Sequence, residues 1–503
     1  MNNKLFLGLL LCSLVQFFSY GARKHPNIIL VLTDDQGYGD LTAHGSPDVR
    51  TPNIDRLISQ SISFEDFHVS PTCAPTRAAI MSGCHPFKGG VTHTVLGRER
   101  LDIKKTILPQ VMKRAGYTTG IFGKWHLGDI DKYQPHNRGF DEVLIHGAGG
   151  IGQDGHPGAS GDVPGNNYQD PILKHNNTFV QTKGFCTDIF FKHAMAWMKS
   201  SYDKGKPFFA YIATNAPHGP YLAPASYKKR FADMKYPKAG QGYFGMIENI
   251  DDNVGLLMEK LDAWGMTENT ILIFMSDNGR TKFPTDPKGE IYNAGMKGLK
   301  KSPHQGGTRV PFVMRWTGHI KAGTKINNLF CHYDLLPTFA DVSGIDITDI
   351  PNLDGESFLP YVTGEKTDVQ ERYRFVHSGK WGGNPIQYIN YEGKKKFIGT
   401  EESSNPQNNK HEGSAVRTQQ YRFVNDTELY DIRKDPGETN NIIEQHPELV
   451  AKLRKKYNEW WNSMMPFLIN EKVPLHKEQA FRTKYETQLK EQGIPNWKEP
   501  KLD

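Results

Sequence analysis

The 503-residue sequence predicts an α/β protein: one large mixed, mostly parallel sheet between helices, with a smaller C-terminal α+β domain. Three observations carry this. Apolar, β-branched-rich runs at Asn27–Thr33, Lys206–Ala213 and Thr270–Met275 lack the alternation of half-exposed strands, so they read as central strands covered on both faces. Helical patterns lie between them, at Thr187–Ser200 with Ile189, Phe190, Ala194, Trp197 and Met198 facing the core, and at Tyr243–Trp264. The composition then changes after the turn at Asp354–Ser357. Beyond a link at Gly364–Thr367 come short strand-like runs at Tyr373–His377, Ile386–Tyr391 and Gln420–Val424, and a helix at Pro447–Met464. The division expected is therefore 1–22, 23–365 and 366–503.

The first 22 residues have the layout of a secretory signal peptide cleaved near Ala22: Lys4 in a short polar start, an apolar run Leu5–Phe18, then Ser19, Gly21 and Ala22. The run is too short for a typical membrane span, and Lys24-His25-Pro26 would break it from the strand that follows. A secreted or periplasmic chain without stable membrane insertion is expected. Cys73, Cys84, Cys186 and Cys331 are too few over so long a mature chain for a disulfide framework. The net charge of +6 is modest and spread along the chain, so no nucleic-acid partner is expected; an anionic small molecule or polysaccharide suits the charge as well.

In chain order, the strand Asn27–Thr33 ends at Asp34-Asp35. Ligands of open α/β sheets gather beyond the carboxyl ends of the strands, so two adjacent carboxylates there read as a hard-cation site or as a solvated acidic turn. A helix starts at Thr51–Leu57. In Cys73–Gly83, Pro75 suits the first turn of a helix that Gly83 can stop, which puts Cys73 at the N–H-rich end where anions bind. The alternatives for Cys73 are a buried structural thiol or a disulfide with Cys84. Thr106–Ala115 reads as a helix with Pro109 in its first turn, and Thr118–Phe122 as a strand leading into Gly123-Lys124-Trp125-His126-Leu127-Gly128. His146–Tyr168 reads as a long Gly/Pro/Asn/Asp loop, functional or merely inserted.

His218 follows the next strand. Glu248, Asp251 and Asp252 on the Tyr243–Trp264 helix read as a solvated face. Asp277-Asn278-Gly279 repeats, after Thr270–Met275, the arrangement at Asp34-Asp35. Pairing of these strands in one parallel sheet would gather three carboxylates and an amide oxygen, a donor set for Ca²⁺.

Several of these segments together resemble the signatures of type I sulfatases of the alkaline-phosphatase-like superfamily. They are Cys73-x-Pro75-Thr76 with Arg77 and Gly83, Gly123–Gly128, Asn215-Ala216-Pro217-His218, Asp277-Asn278-Gly279, and Gly306-Gly307-Thr308-Arg309-Val310-Pro311 with Gln305 in place of the usual Glu. The resemblance runs from about Asn27 to Met465, where Leu429-Tyr430-Asp431 belongs to the family's C-terminal sheet-and-helix unit, and it extends to secreted bacterial polysaccharide sulfatases.

It implies that a maturation enzyme oxidises Cys73 to formylglycine and that one Ca²⁺ is held by Asp34, Asp35, residue 73, Asp277 and Asn278. Arg77 and Lys124 would hold the modified residue, His218 and Lys300 would grip the sulfate and assist the leaving oxygen, and His126 would manage proton transfer. The family lysine selects Lys300, with Lys297 and Lys301 left open. One hydroxyl of the hydrated aldehyde would attack sulfur, and the second would let the sulfated intermediate collapse.

The expected substrate is a sulfated carbohydrate, with algal glycans such as ulvan or carrageenan as candidates. Asp154, His156, Asp162, Asn166, Asn167 and Tyr168 of the loop would suit its hydroxyl groups. Alternatives are an aryl- or steroid-sulfate enzyme, a two-metal phosphate or phosphonate ester hydrolase on the same fold, and a non-catalytic glycan-binding protein in which Cys73 stays a thiol.

Overall fold

Asn27–Thr33 pairs in parallel with Phe208–Ala213 on one edge and with Thr270–Ser276 on the other, and every residue of the three strands is buried. With both faces covered, alternation of polar and apolar residues has no place there, which accounts for the unbroken apolar runs. The structure, a computed structural model, describes residues 25–153, 160–369, 371–379, 387–391, 394–398, 405–471 and 479–502; the expected signal segment, Asp154 and His156 lie outside them.

The three strands are the middle of a ten-stranded sheet in the order Lys325–Ile326, Ile62–Phe64, Phe312–Arg315, Thr270–Ser276, Asn27–Thr33, Phe208–Ala213, Thr118–Lys124, Glu142–His146, Ile172–His175 and Thr178–Gln181. Its centre is parallel. Antiparallel pairing enters where Phe312–Arg315 joins Thr270–Ser276 and again at the far edge from Ile172 onward. Successive residues of one strand face opposite layers: Ile28, Leu30 and Leu32 pack with Ala78, Ile80, Val111, Met112 and Phe339, whereas Ile29 and Val31 pack with Ile54, Leu57, Phe190, Ile250 and Leu257. Helices Cys73–Ser82, Leu108–Arg114 and Leu335–Val342 thus cover one face, and Pro52–Ser59, Cys186–Asp203 and Lys238–Ala263 the other.

The registers Thr33↔Ser276, Leu32↔Ala213 and Gly123↔Ala213 set the carboxyl ends of four central strands level. The chain leaves all four at one rim.

Two readings need correction. The Tyr243–Trp264 helix begins earlier, at Lys238, and its acidic residues are not all solvated: Asp252 is exposed, Glu248 is partly buried and Asp251 is buried. Asp251 is buried and accepts hydrogen bonds from the backbone N–H of Ile54 (2.7 Å) and Asn53 (3.2 Å) and from the Asn53 amide (2.9 Å). The Pro52–Ser59 helix has no side-chain cap of its own, so the neighbouring helix supplies one. Glu248 takes Arg230 and the Arg50 N–H, and Asp252 accepts from Tyr227.

The smaller domain is a four-stranded antiparallel sheet, Arg374–His377, Ser414–Arg417, Tyr421–Val424 and Glu428–Asp431. Helix Pro447–Met464 lays Leu453, Tyr457, Trp460 and Trp461 against it. The last segment, grouped by the sequence with this domain, returns to the large sheet. Helix Ala480–Glu491 plants Phe481 in the main core, Gln488 donates to the Phe179 carbonyl, and Asn496 bridges Gln181.

Candidate active site

The rim carries a buried cluster of charge built from strand ends and one helix start. Asp34 and Asp35 follow the central strand, Lys124 ends its own, and Asp277 and Asn278 follow Ser276. Cys73 is the first residue of a helix whose left-handed C-cap is Gly83 (φ 65°), with Thr72 extended before it. Asp35 (φ 65°) and His126 (φ 59°) both adopt the left-handed backbone that non-glycine residues seldom take.

Each carboxylate has its own cation. Arg77 donates to Asp277 from Nε (3.1 Å) and Nη2 (2.7 Å), and from Nη1 to the Lys124 carbonyl (2.9 Å). Lys124 pairs with Asp34. Lys300 lies 2.6 Å and 2.8 Å from the two oxygens of Asp35, which also accepts from the Asn278 amide at 2.8 Å. His218 places Nε2 3.8 Å from Asp35 while Nδ1 meets the Gly219 carbonyl. Cys73 Sγ lies 3.4 Å from His126 Nδ1, and His126 Nε2 is held by the Thr94 carbonyl at 2.7 Å. One ligand atom from each of Asp34, Cys73 and Asp277 lies within 4.8 Å of the others.

Burial decides how these groups hold their protons. It raises Asp34 against the pull of Lys124, and it pushes Asp277 up to about 6 with Asp34 adding to the effect. Burial acts on Asp35 in the same sense, yet Lys300 and His218 hold that carboxyl well below the usual range. It drives His218 down to about 3 and, with Lys124, His126 well below its ordinary value, so both rings are neutral.

Every residue singled out in the sequence as catalytic or metal-binding meets in this cluster. Among the three lysines, Lys297 is tied to Glu428 and Tyr430 of the small domain (2.7 Å each), and Lys301 takes a left-handed backbone and bonds the Pro71 carbonyl through its N–H. Lys300 is the one that reaches the carboxylates. Gln305, in the place of the usual Glu, accepts from Arg422 at 2.9 Å, and the carboxylate facing that guanidinium is Glu438 at 3.3 Å. Cys73 and Cys84 are free, as are Cys186 and Cys331.

The loop after His146 differs from its reading. Asp162 accepts from the Gly147 and Gly152 N–H groups and from Asn166, and Asn167 accepts from the Gln169 N–H. Tyr168 donates its hydroxyl to the carbonyls of Asn215 (2.8 Å) and His218 (2.5 Å). Asp162 and Asn167 thus satisfy backbone N–H groups in and beside the loop, and Tyr168 ties the loop to the turn at Asn215–His218. What reaches the site is Gly149-Gly150: a Cβ at 149 would stand 2.5 Å from the His126 ring, and one at 150 would stand 3.0 Å from His218. The sequence reading missed this pair, the Thr94 carbonyl and His146, which is fully buried with both ring nitrogens unpartnered beside Lys124 in register. Only His146 carried a signal, as a histidine at a strand's carboxyl end.

The profile of the Sulfatase family matches residues 26–345. The chain belongs to the sulfatase family. This sulfatase is 30% identical over 393 residues to mouse N-acetylgalactosamine-6-sulfatase, covering 74% of the chain and 72% of the relative. It is 29% identical over 495 residues to the N-acetylgalactosamine-6-O-sulfatase of Bacteroides thetaiotaomicron, covering 86% and 92%. The crystal structure of Ps i-CgsB in complex with k-i-k-neocarrahexaose superimposes with a TM-score of 0.73 at 26% identity, covering 93% and 98%. The fold is the alkaline-phosphatase-like one, and the enzyme is a sulfuric ester hydrolase.

Proposed function

We propose that this sulfatase cleaves sulfate esters of carbohydrate with a formylglycine made from Cys73 and one bound Ca²⁺. The observation that carries the reading is the position of Cys73, at a helix N-terminus, 3.4 Å from a neutral His126 and within a cluster of carboxylates. Hydrated formylglycine supplies a hydroxyl nucleophile and a second hydroxyl for releasing sulfate. Mass spectrometry of the peptide spanning residue 73 tests it: conversion lowers the mass by about 18 Da. Active enzyme containing only the thiol would overturn the reading, and a thiol in a chain without turnover would leave the glycan-binding alternative.

The residues fit a hard cation. Asp34 Oδ1 and Asn278 Oδ1 are buried oxygens without hydrogen-bond partners, and the surrounding donors are oxygens of Asp34, Asp35 and Asp277. Asp34, Asp35, Asp277, Asn278 and residue 73 would hold it. The ion would supply positive charge to acidify a hydroxyl and polarise a sulfate oxygen. Metal analysis should find one Ca²⁺ per chain; two transition ions would favour the phosphate or phosphonate reading, which Lys124 and Lys300 argue against by taking the oxygens a second metal would need.

The other roles follow from hydrogen-bond direction. His126 donates from Nε2 to Thr94, so Nδ1 faces residue 73 as an acceptor and can take a proton from a hydroxyl there. Arg77 and Lys124 fix Asp277 and Asp34 and so set the position of residue 73. Lys300 and His218 flank the open side of Asp35, where sulfate oxygens and the leaving group would lie.

Carbohydrate is supported by the relatives rather than by the loop: two act on N-acetylgalactosamine 6-sulfate by name, and the structural neighbour holds a neocarrahexaose. Sulfate release from N-acetylgalactosamine-6-sulfate oligosaccharides and carrageenan oligosaccharides, set beside a small aryl sulfate, decides it. Aryl turnover with no release from any glycan would overturn it. Export fits the leader-like first 22 residues, and no helix among the described residues is long and apolar enough to cross a membrane.

A further inference from the structure

A second cluster of metal-ligating side chains lies away from the catalytic one. Glu142 opens its strand, His175 ends the next strand along, and His193 stands on the Cys186–Asp203 helix that packs over them. Both imidazoles turn Nε2 onto the same carboxylate oxygen of Glu142, His175 at 2.7 Å and His193 at 2.8 Å, and one ligand atom from each residue lies within 4.8 Å of the other two. The rings stand edge to face at 4.8 Å. The side chains are 32%, 12% and 19% exposed for His175, His193 and Glu142, so the cluster is shielded yet open to water on one side.

The site is remote from the first. Glu142 is level with Gly120, Gly120 with Ala210, and Ala210 with Ile29. Asp34 lies five residues further along, about 17 Å in the strand direction at roughly 3.3 Å per residue. The donors differ as well. The catalytic cluster offers hard oxygens; this one offers two imidazole nitrogens and one carboxylate, the ligand set of borderline transition ions.

We propose that Glu142, His175 and His193 form a binding site for a divalent transition ion, with Zn²⁺ the best fit and water completing a tetrahedron. Bonds of about 2.0–2.1 Å in a tetrahedron separate ligand atoms by roughly 3.4 Å. The observed 2.7 and 2.8 Å require each ring and the carboxylate to separate by about 0.6–0.7 Å, a shift that rotation of these partly exposed side chains can supply. The ion would clip the helix to the sheet edge. Trp497 of the returning C-terminal segment lies tilted against His193 with ring centroids 5.8 Å apart, so the clip would also secure that segment. The role is structural: nothing in the catalytic chemistry touches these residues.

The test uses the mature full chain with Ca²⁺ in excess to keep the oxygen cluster filled, and ZnCl₂ as the probe. Equilibrium dialysis with elemental analysis should find one Zn²⁺ per chain beyond Ca²⁺, with a rise in Tm on Zn²⁺ addition. His175→Ala or His193→Ala should weaken uptake on the order of tenfold or more, and the double variant should abolish it and the Tm response while sulfate-ester turnover stays at the wild-type level. Co²⁺ in place of Zn²⁺ should give visible d–d bands that the double variant lacks. Wild-type chain that takes up no Zn²⁺ beyond Ca²⁺, or a double variant that binds it as tightly as wild type, overturns the site and leaves a hydrogen-bonded His–Glu–His cluster. If the double variant does not fold, His175→Gln at the most exposed ligand carries the same expectations. Failure here would leave the reading of Cys73 untouched, because the two sites share no residue.

Discussion

A methyl group at position 149 would measure how closely the loop is built onto His126. The added Cβ would stand 2.5 Å from the ring, which cannot retreat without giving up the Thr94 carbonyl at 2.7 Å. Gly149→Ala should therefore lower kcat by about tenfold or more, some 1.4 kcal/mol in the barrier, with circular dichroism and Tm near wild type. An unchanged kcat would remove His126 from the chemistry. The carboxylates were legible in the sequence because each stands just past a buried strand, and parallel pairing admits one arrangement of their ends. The choice among Lys297, Lys300 and Lys301 was not: it depends on Glu428 and Tyr430, which draw Lys297 away from across the domain junction. The loop misled for a related reason. Polar residues in a stretch of sequence look alike whether they meet a ligand or the loop's own N–H groups, and buried backbone takes precedence.

Elements were legible where one periodicity dominated and less so where packing set the ends. The Lys238–Ala263 helix carries Gly240, Gly242 and Gly245 in its first turns, which weakens its helical signal. Gly242 is required there, since a Cβ would lie 1.9 Å from the Tyr221 carbonyl oxygen. Helix Ala480–Glu491 has one buried residue, Phe481, in an otherwise charged sequence, so its return to the large sheet left little trace. The cap supplied by Asp251 was invisible because donor and acceptor lie 197 residues apart. Asp251→Ala should cost about 1–2 kcal/mol or somewhat more, since it leaves the Ile54 and Asn53 N–H groups without their acceptor in a buried place. Urea unfolding should show a lower midpoint at unchanged slope, and Asp251→Asn, which keeps an oxygen acceptor, should lose less. Equal stability of Asp251→Ala and wild type would show that water replaces the cap.

At the scale of the molecule, the two domains meet through a buried polar junction that makes the fold sensitive to acid. Asp66 of the large domain accepts from Arg417 of the small sheet (2.8 Å) and from His68 (2.8 Å), and Arg422 reaches His68 at 3.3 Å and Thr308 at 3.2 Å. Burial pushes His68 down to about 4, His377 of the small sheet to about 4, and His332, bonded to Ser70, to about 3. The unfolded chain takes up these protons near the ordinary value of about 6.5, whereas the folded chain refuses them until about pH 4. Their stabilisation is thus complete above pH 6.5 and is lost as pH falls toward 4, on the order of 3 kcal/mol for each ring. Asp251 and Asp277, pushed up to about 6 by burial, work in the opposite sense, because the folded state binds their protons first. The shifts of the three rings exceed those of these two carboxyls; His126 and His218, also lowered by burial, add to the rings, Asp34 adds to the carboxyls, and bound Ca²⁺ would keep Asp277 ionised. Tm should accordingly fall steadily from pH 7 to 4.5, beginning near pH 6.5, and His68→Gln should flatten the profile even though it lowers Tm at neutral pH. A Tm independent of pH across this range would mean that the buried rings gain protons without opening the junction.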